Sequence, residues 1–166
     1  MSDLLVVGCD PSSKKLAFVA MYALDHVYVR TYQLRKQNSR YTPQACCAAK
    51  YACEALVDEL ARCGNPVTRQ LYVEAPYTGV SPLSTNVQAF VSGVIQACFV
   101  HAGYDVQLVP PSTWKHEVCG SGAATKEQVR ATIRSRWANV YDLAGGDQDV
   151  LDAAALALYG DAVVHR

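Results

Sequence analysis

The sequence lacks an excess of charge of either sign. Its 166 residues include 15 Lys and Arg and 15 Asp and Glu, so the formal net charge is zero. A protein that binds nucleic acid through a strongly basic overall charge is therefore excluded, and any basic surface must be local. Hydrophobic residues make up 51% and charged residues 18% of the chain, a composition that also excludes an intrinsically disordered protein.

Long hydrophobic runs are missing as well. No apolar stretch reaches the roughly 18 residues that a membrane-spanning helix needs, and the N-terminus shows no basic-then-apolar signal segment. The seven cysteines are an odd number and none stands in a CxxC pair, so we do not expect a structural zinc site. We expect reduced, mostly buried thiols in an intracellular protein.

The hydrophobic pattern predicts a single α/β domain over residues 1–166. The continuous apolar run at residues 4–9 is typical of a central strand that is covered on both faces. Further strands are predicted at 16–24, 26–34, 70–74 and 105–109, and helices at 43–63, 85–102, 112–118, 125–137 and 147–164. We expect a mixed five-stranded sheet, with three antiparallel strands followed by parallel strands, and helices on both faces.

Acidic residues stand at the ends of predicted strands and at the start of the last helix. Asp10 follows the most hydrophobic strand, and Glu74 follows the fourth strand. An ionised carboxylate there is costly unless it is paired, hydrogen-bonded or bound to a cation. Asp149 and Asp152 lie three residues apart and so share the helix face that we expect to pack on the sheet. Four carboxylates would then meet, and such hard oxygen ligands suit Mg²⁺ or Mn²⁺.

Each of these acids also has a purely structural interpretation. Asp10 could cap the turn before Pro11, and Glu74 could be a solvated strand end. Asp149 and Asp152 could be helix-start acids favoured by the helix dipole. Spacing alone leaves these alternatives open, and only the joint pattern favours a metal site.

A local basic surface is predicted on the helix at 125–137. Lys126, Arg130 and Arg134 recur every four residues and form one stripe, and the neighbouring stripe is apolar, with Val129, Ile133 and Trp137. A basic ridge beside an anchored face suits contact with phosphates. A solvated helix face is the alternative.

Four segments, taken in order, resemble the motifs of one family. They are Val7-Gly8-Cys9-Asp10-Pro11-Ser12-Ser13, Val73-Glu74-Ala75-Pro76-Tyr77, the lysine-bearing region 111–129, and the segment 149–157 that begins Asp149-Val150-Leu151-Asp152. The set is similar to the motifs of RuvC-type Holliday-junction resolvases, which have an RNase H-like fold, and it spans residues 4 to about 160. Ser12 stands where the family usually has Gly, and Leu16-Ala17 where Thr-Gly is usual. The chain therefore resembles a divergent, phage-type member.

The resemblance implies a homodimeric endonuclease that resolves four-way DNA junctions with two Mg²⁺ ions per site, which Mn²⁺ can replace. Paired nicks would leave 5′-phosphate and 3′-hydroxyl ends. The catalytic and metal-ligating residues would be Asp10, Glu74, Asp149 and Asp152. Tyr77 would stack on bases at the branch point, and Lys115 and Lys126 would contact phosphates near the cut. The implied location is the cytoplasm of a bacterium or of a phage-infected host.

Two other functions remain compatible with the same residues. One is a relaxed nuclease for flaps, forks or RNA–DNA hybrids. The other is a non-catalytic module that binds branched DNA through Tyr77 and the basic stripe, with the carboxylates serving only the fold. For the homodimer that the resemblance implies, the candidate contact is the helix at 85–102, which is apolar on more than one face.

Overall fold

The structure is a computed structural model that describes residues 4–12, 14–23, 26–34, 42–64, 66–76 and 82–166. Five strands and six helices lie within these ranges. The strands are β1 (Leu4–Pro11), β2 (Lys15–Ala23), β3 (His26–Gln33), β4 (Thr68–Glu74) and β5 (Asp105–Val109). The helices are α1 (Thr42–Cys63), α2 (Pro82–His101), α3 (Pro111–Cys119), α4 (Lys126–Arg136), α5 (Ala138–Ala144) and α6 (Gln148–Val164).

The strands form one sheet in the order β3-β2-β1-β4-β5. Strand β1 pairs antiparallel with β2, which pairs antiparallel with β3, whereas β4 runs parallel to β1 and β5 parallel to β4. The predicted mixed sheet is therefore confirmed. Strand β1 lies at its centre, as its continuous apolar run indicates, and Leu5, Val6 and Val7 are at most 1% exposed.

Helices cover both faces of the sheet, as predicted, and each face has its own core. Odd-numbered residues of β1, such as Val7, pack with Leu56 of α1 and Phe99 of α2. The even-numbered Val6 packs on the opposite face, with Trp114 of α3 and Leu151 of α6. Successive strand side chains point to opposite faces, so the position of a residue in β1 decides which layer it meets.

Helix α6 crosses β1 at a glycine. A Cβ placed on Gly8 would lie 2.0 Å from the carbonyl oxygen of Ala153 and 2.5 Å from the amide nitrogen of Ala157, so no side chain fits there. The helix is deeply embedded, and nine of its residues are buried. This close approach fixes the height of α6 above the sheet, near the carboxyl end of β1.

The structure corrects three details of the prediction. The described residues form six helices where the sequence predicts five, because Trp137 departs from helical geometry (φ −149°, ψ 61°) and a separate short helix, α5, follows it. Helix α2 begins at Pro82 rather than near residue 85, which is consistent with the preference of proline for the first helical position. The seven thiols are free, but only Cys9 and Cys53 are buried. In the described ranges no helix is both long enough and apolar enough to cross a membrane.

Candidate active site

Two of the predicted acids lie side by side at one edge of the sheet. Strands β1 and β4 are parallel, so their carboxyl ends meet, and Cys9 pairs with Val73 immediately before Asp10 and Glu74. Gly8 faces α6, and Tyr72 belongs to the core on that same side of the sheet. Because side chains two residues apart share a face, Asp10 and Glu74 also face the side of the sheet on which α6 lies.

The other two predicted acids lie on the first turns of α6. Asp147 is the N-cap of this helix, and its carboxylate accepts a hydrogen bond from the amide of Asp149 at 3.1 Å. Gln148 donates its side-chain amide to Asp152 at 2.9 Å. Since α6 is seated on β1 at Gly8, its first turns reach the edge of the sheet where Asp10 lies.

A tryptophan holds Glu74. Trp114 of α3 is completely buried, and its indole Nε1 donates a hydrogen bond to Glu74 Oε2 at 2.9 Å. Lys115, the next residue, places its Nζ 5.5 Å from the centre of the Trp114 ring. One side of the site is thus built by α3, with a fixed donor and a nearby positive charge.

The carboxyl groups act on one another electrostatically. Burial raises the pKa of Asp10 well above its ordinary value, and the charges of Glu74, Asp152 and Asp149 raise it further, while Lys15 lowers it. These four acids come from three distant segments of the chain. The other three acids therefore lie close enough to Asp10 to influence its ionisation, whereas their joint role as one metal site stays a prediction.

The pKa values of Glu74 and Asp152 are likewise raised by burial and lowered by hydrogen bonds and by a positive charge. Burial raises the pKa of Glu74 to about 7, against the hydrogen bond from Trp114 and the charge of Lys115. Burial also raises the pKa of Asp152, while the hydrogen bond from Gln148 and the charge of Lys115 oppose the rise. Burial and mutual repulsion disfavour the ionised form of these carboxyl groups. A bound cation would stabilise the ionised form.

A lysine that the motifs do not single out pairs with the start of α6. Lys15 Nζ lies 2.7 Å and 2.8 Å from the two carboxylate oxygens of Asp147, and 2.8 Å from Asp149 Oδ2. It is the first residue of β2, which enters the sheet opposite the end of β1, with Pro11 paired to Leu16. The sequence signal that could have identified Lys15 is its place beside the turn that joins β1 to β2, close to Asp10.

The chemistry of the donor set fits a hard divalent cation, since all four acids offer carboxylate oxygens and their repulsion is incompletely relieved. In their present arrangement, no three His, Cys, Asp or Glu side chains of the described residues are grouped closely enough to hold one ion. Asp149 instead contacts Lys15. The candidate ligands Asp10, Glu74, Asp149 and Asp152 would therefore have to adjust their side chains around an ion.

The basic stripe of α4 is present and borders the site. Lys126, Arg130 and Arg134 are exposed, whereas Val129 and Ile133 are buried. Arg130 donates to the side-chain oxygen of Gln148 at 3.2 Å, and Gln148 in turn holds Asp152. The guanidinium of Arg134 lies 5.6 Å from the ring centre of Tyr141. Tyr77, the predicted stacking residue, lies outside the described residues.

Sequence reasoning singled out the four acids and the basic stripe, but not the contacts that Lys15, Trp114 and Gln148 make with acidic side chains at this edge of the sheet. Trp114 lies within the recognised lysine-bearing segment, and an indole N–H that is buried needs an acceptor, which is a usable signal. Gln148 carries no comparable signal, because its contacts depend on the orientation of α6.

Solved structures of similar architecture exist. Thermus thermophilus RuvC superimposes with a TM-score of 0.73 at 17% identity, over 97% of this chain and 95% of that one. T. thermophilus RuvC in complex with a Holliday-junction substrate gives 0.72 at 19% identity, over 96% and 94% of the two chains.

The yeast mitochondrial Holliday-junction resolvase Ydc2 gives a TM-score of 0.57 at 13% identity, over 93% of this chain and 77% of that one. At the level of sequence, no family model matches the chain and no curated protein matches it. The likeness therefore establishes the architecture, and it confirms the predicted RNase H-like fold of RuvC-type resolvases.

Proposed function

We propose that this protein is a structure-selective DNA endonuclease that resolves four-way junctions by metal-dependent hydrolysis of phosphodiesters. The observation that supports the proposal is the placement of Asp10 and Glu74 at the carboxyl ends of two paired parallel strands, on the side of the sheet where α6 begins with Asp149 and Asp152. The fold is shared with T. thermophilus RuvC. That RuvC has been solved with a Holliday junction, which supports branched DNA as the substrate class here.

The four carboxylates would hold two Mg²⁺ ions, or Mn²⁺ in their place. When bound, such ions activate water for in-line attack and stabilise the departing 3′ oxygen, so that 5′-phosphate and 3′-hydroxyl ends result. Asp10 would be the central ligand of the set, because it lies on the central strand and the charges of the other three acids all raise its pKa.

The surrounding residues would orient the acids and the DNA. Trp114 fixes one oxygen of Glu74 and leaves the other oxygen for a ligand role. Lys115 lies near Glu74 and Asp152, where it would contact the phosphate under attack. The exposed stripe of Lys126, Arg130 and Arg134 would carry the flanking phosphates. Tyr77 remains the predicted base-stacking residue.

We further propose a homodimer that acts in the cytoplasm of a bacterium or a phage-infected host. Helix α2 exposes Phe90 and Val100, at 61% and 58%, which supports it as the dimer contact. A two-fold axis would present two sites to the symmetric strands of a junction and so produce paired nicks. A reducing compartment would keep the free thiols reduced.

The test of the proposal is Asp10→Asn, with Asp105→Asn as the matched control. Asp105 is an exposed aspartate at the opposite end of the sheet, on the first position of β5. We expect Asp10→Asn to reduce Mg²⁺-dependent cleavage of a four-way junction by at least about 100-fold. Junction binding should be kept or become tighter, because a negative charge facing phosphates is removed. Cleavage by Asp10→Asn at the wild-type rate would contradict the assignment of Asp10 as a metal ligand.

A relaxed preference for branched DNA is the second candidate function, because the turn after β1 departs from the pattern of the family that the sequence resembles. Ser12, which stands where the resembled family usually has Gly, closes the turn after β1 with its side chain. Its hydroxyl donates to the carbonyl of Lys15 and accepts from the amide of Lys15, both at 2.8 Å. The turn beside Asp10 is therefore held by side-chain bonds that glycine could not make. Relative cleavage of four-way junctions, flaps and RNA–DNA hybrids distinguishes a strict resolvase from a relaxed one.

A further inference from the structure

Among the four candidate ligands, Asp149 is held by a cationic side chain of the protein. Lys15 Nζ lies 2.8 Å from Asp149 Oδ2, and it also contacts both carboxylate oxygens of Asp147. Glu74 and Asp152 instead accept hydrogen bonds from Trp114 and Gln148, which are neutral. An ion arriving at the site therefore meets a competing cation at Asp149.

Two cations compete for one carboxylate, because bringing them together is opposed by their mutual repulsion. The competition is open to solvent, since the side chains of Lys15 and Asp149 are 18% and 37% exposed. Asp147 is a second ion-pair partner of Lys15. It is anchored as the N-cap of α6 and offers Lys15 two oxygens, so the lysine keeps a partner when Asp149 turns away.

We propose that Lys15 is a positioning residue that occupies Asp149 in the ion-free protein and yields it to a divalent cation. It acts as an internal counter-charge that keeps Asp149 ordered and sets the affinity of the site for its ion. This inference rests on the proposed metal-dependent function and adds to it a residue that regulates the filling of the site.

The experiment is calorimetric titration of the full-length protein with Mn²⁺, without DNA. We expect Lys15→Gln to bind Mn²⁺ about tenfold more tightly than the wild type. A positive charge in contact with a carboxylate shifts the equilibrium for binding another cation there by about tenfold or more. Lys15→Arg keeps the charge and should bind close to the wild type. Lys14→Gln removes the adjacent exposed lysine and should leave the dissociation constant unchanged.

A double-mutant cycle identifies the carboxylate through which Lys15 acts. Asp149→Asn alone should weaken Mn²⁺ binding, and adding Lys15→Gln to it should give no further tightening. Equal tightening in both backgrounds would mean that Lys15 acts only through its general field, and the proposal would be overturned. Circular dichroism checks the fold, and Lys15→Met is the second charge-free variant if Lys15→Gln does not fold.

The failure of this inference is distinguishable from the failure of the proposed function. A wild-type protein that binds Mn²⁺ and cuts junctions, with a Lys15→Gln variant of unchanged affinity, refutes the role of Lys15 and leaves the nuclease intact. A wild-type protein that neither binds Mn²⁺ nor cuts branched DNA overturns both.

Discussion

Substitution of Gly8 by alanine should separate the two halves of the site without touching a candidate ligand. The added Cβ would lie 2.0 Å from a carbonyl oxygen of Ala153 and 2.5 Å from the amide nitrogen of Ala157, whereas ordinary contacts lie at 3.4–4 Å. Both obstructing atoms belong to the backbone of α6. No change of rotamer can therefore relieve the clash, and the helix must move away from β1 by about 1 Å or more.

Two effects of different size follow from this displacement. Overpacking of a well-filled core costs about 1–3 kcal/mol, and we expect a loss of this size or larger in the free energy of unfolding, measured with urea. Helix α6 carries Asp149 and Asp152 relative to Asp10, so their spacing also changes. A misplacement of about 1 Å can cost about 100-fold in rate, and we expect a loss of junction cleavage of that order even where the variant is fully folded.

Gly93 provides the matched control. It is an exposed glycine of α2, and a Cβ placed on it would meet no atom within 4 Å. Gly93→Ala should be neutral or more stable by up to about 1 kcal/mol, because alanine is the better helix former. A Gly8→Ala protein as stable and as active as Gly93→Ala would show that the close seating of α6 on β1 is incorrect.

Two further predictions concern pH and salt. Because the pKa of Glu74 is raised from 4.5 to about 7 in the folded, ion-free protein, stability should fall by up to about 3 kcal/mol as the pH rises from about 4.5 to about 7. Urea unfolding in the presence of a chelator should show this fall in the free energy of unfolding with pH. The fall should be smaller in Glu74→Gln or with saturating Mg²⁺. An equal fall in Glu74→Gln would exclude Glu74 as its source. Lys126→Ala should weaken junction binding and lower the slope of log affinity against log salt by about one, whereas Lys50→Ala, which removes a lysine paired with Glu54 on α1, should leave that slope unchanged.

Much of the fold can be predicted from the local sequence, because hydrophobic runs and helix-capping residues agree with the tertiary structure. The apolar run of β1 predicts its central place, and α4 begins at a reciprocal capping box in which Thr125 and Gln128 bond to each other's backbone amides. Helix α5 escapes prediction for a physical reason. Its seven residues make fewer than two turns, too few for a periodic pattern, and its boundary is set by the buried Trp137.

Candidate site residues at strand ends could be predicted from the sequence. Contacts that depend on the orientation of α6 could not. Asp10 and Glu74 follow from parallel pairing, since a buried strand that ends in an acid places that acid at the carboxyl edge. The contacts of Lys15 with Asp147 and Asp149 depend on how α6 is seated above the hairpin of β1 and β2. Spacing in the sequence does not encode that angle.

The same seating makes the stability of the protein depend on the ion that we propose it binds. Helix α6 is buried along most of its length, so its backbone cannot move away from β1 without disrupting the core. Packing therefore keeps these acids in a buried setting: burial raises the pKa of Asp10 and Glu74, and the charges of the neighbouring acids raise it further. An ion at a hundred times its dissociation constant contributes about 2.7 kcal/mol to stability, a size comparable to the pH-dependent loss expected from Glu74 alone. A tightly packed α6 would thus contribute to the affinity of the proposed site, and loosening α6 should weaken metal binding and the pH dependence together.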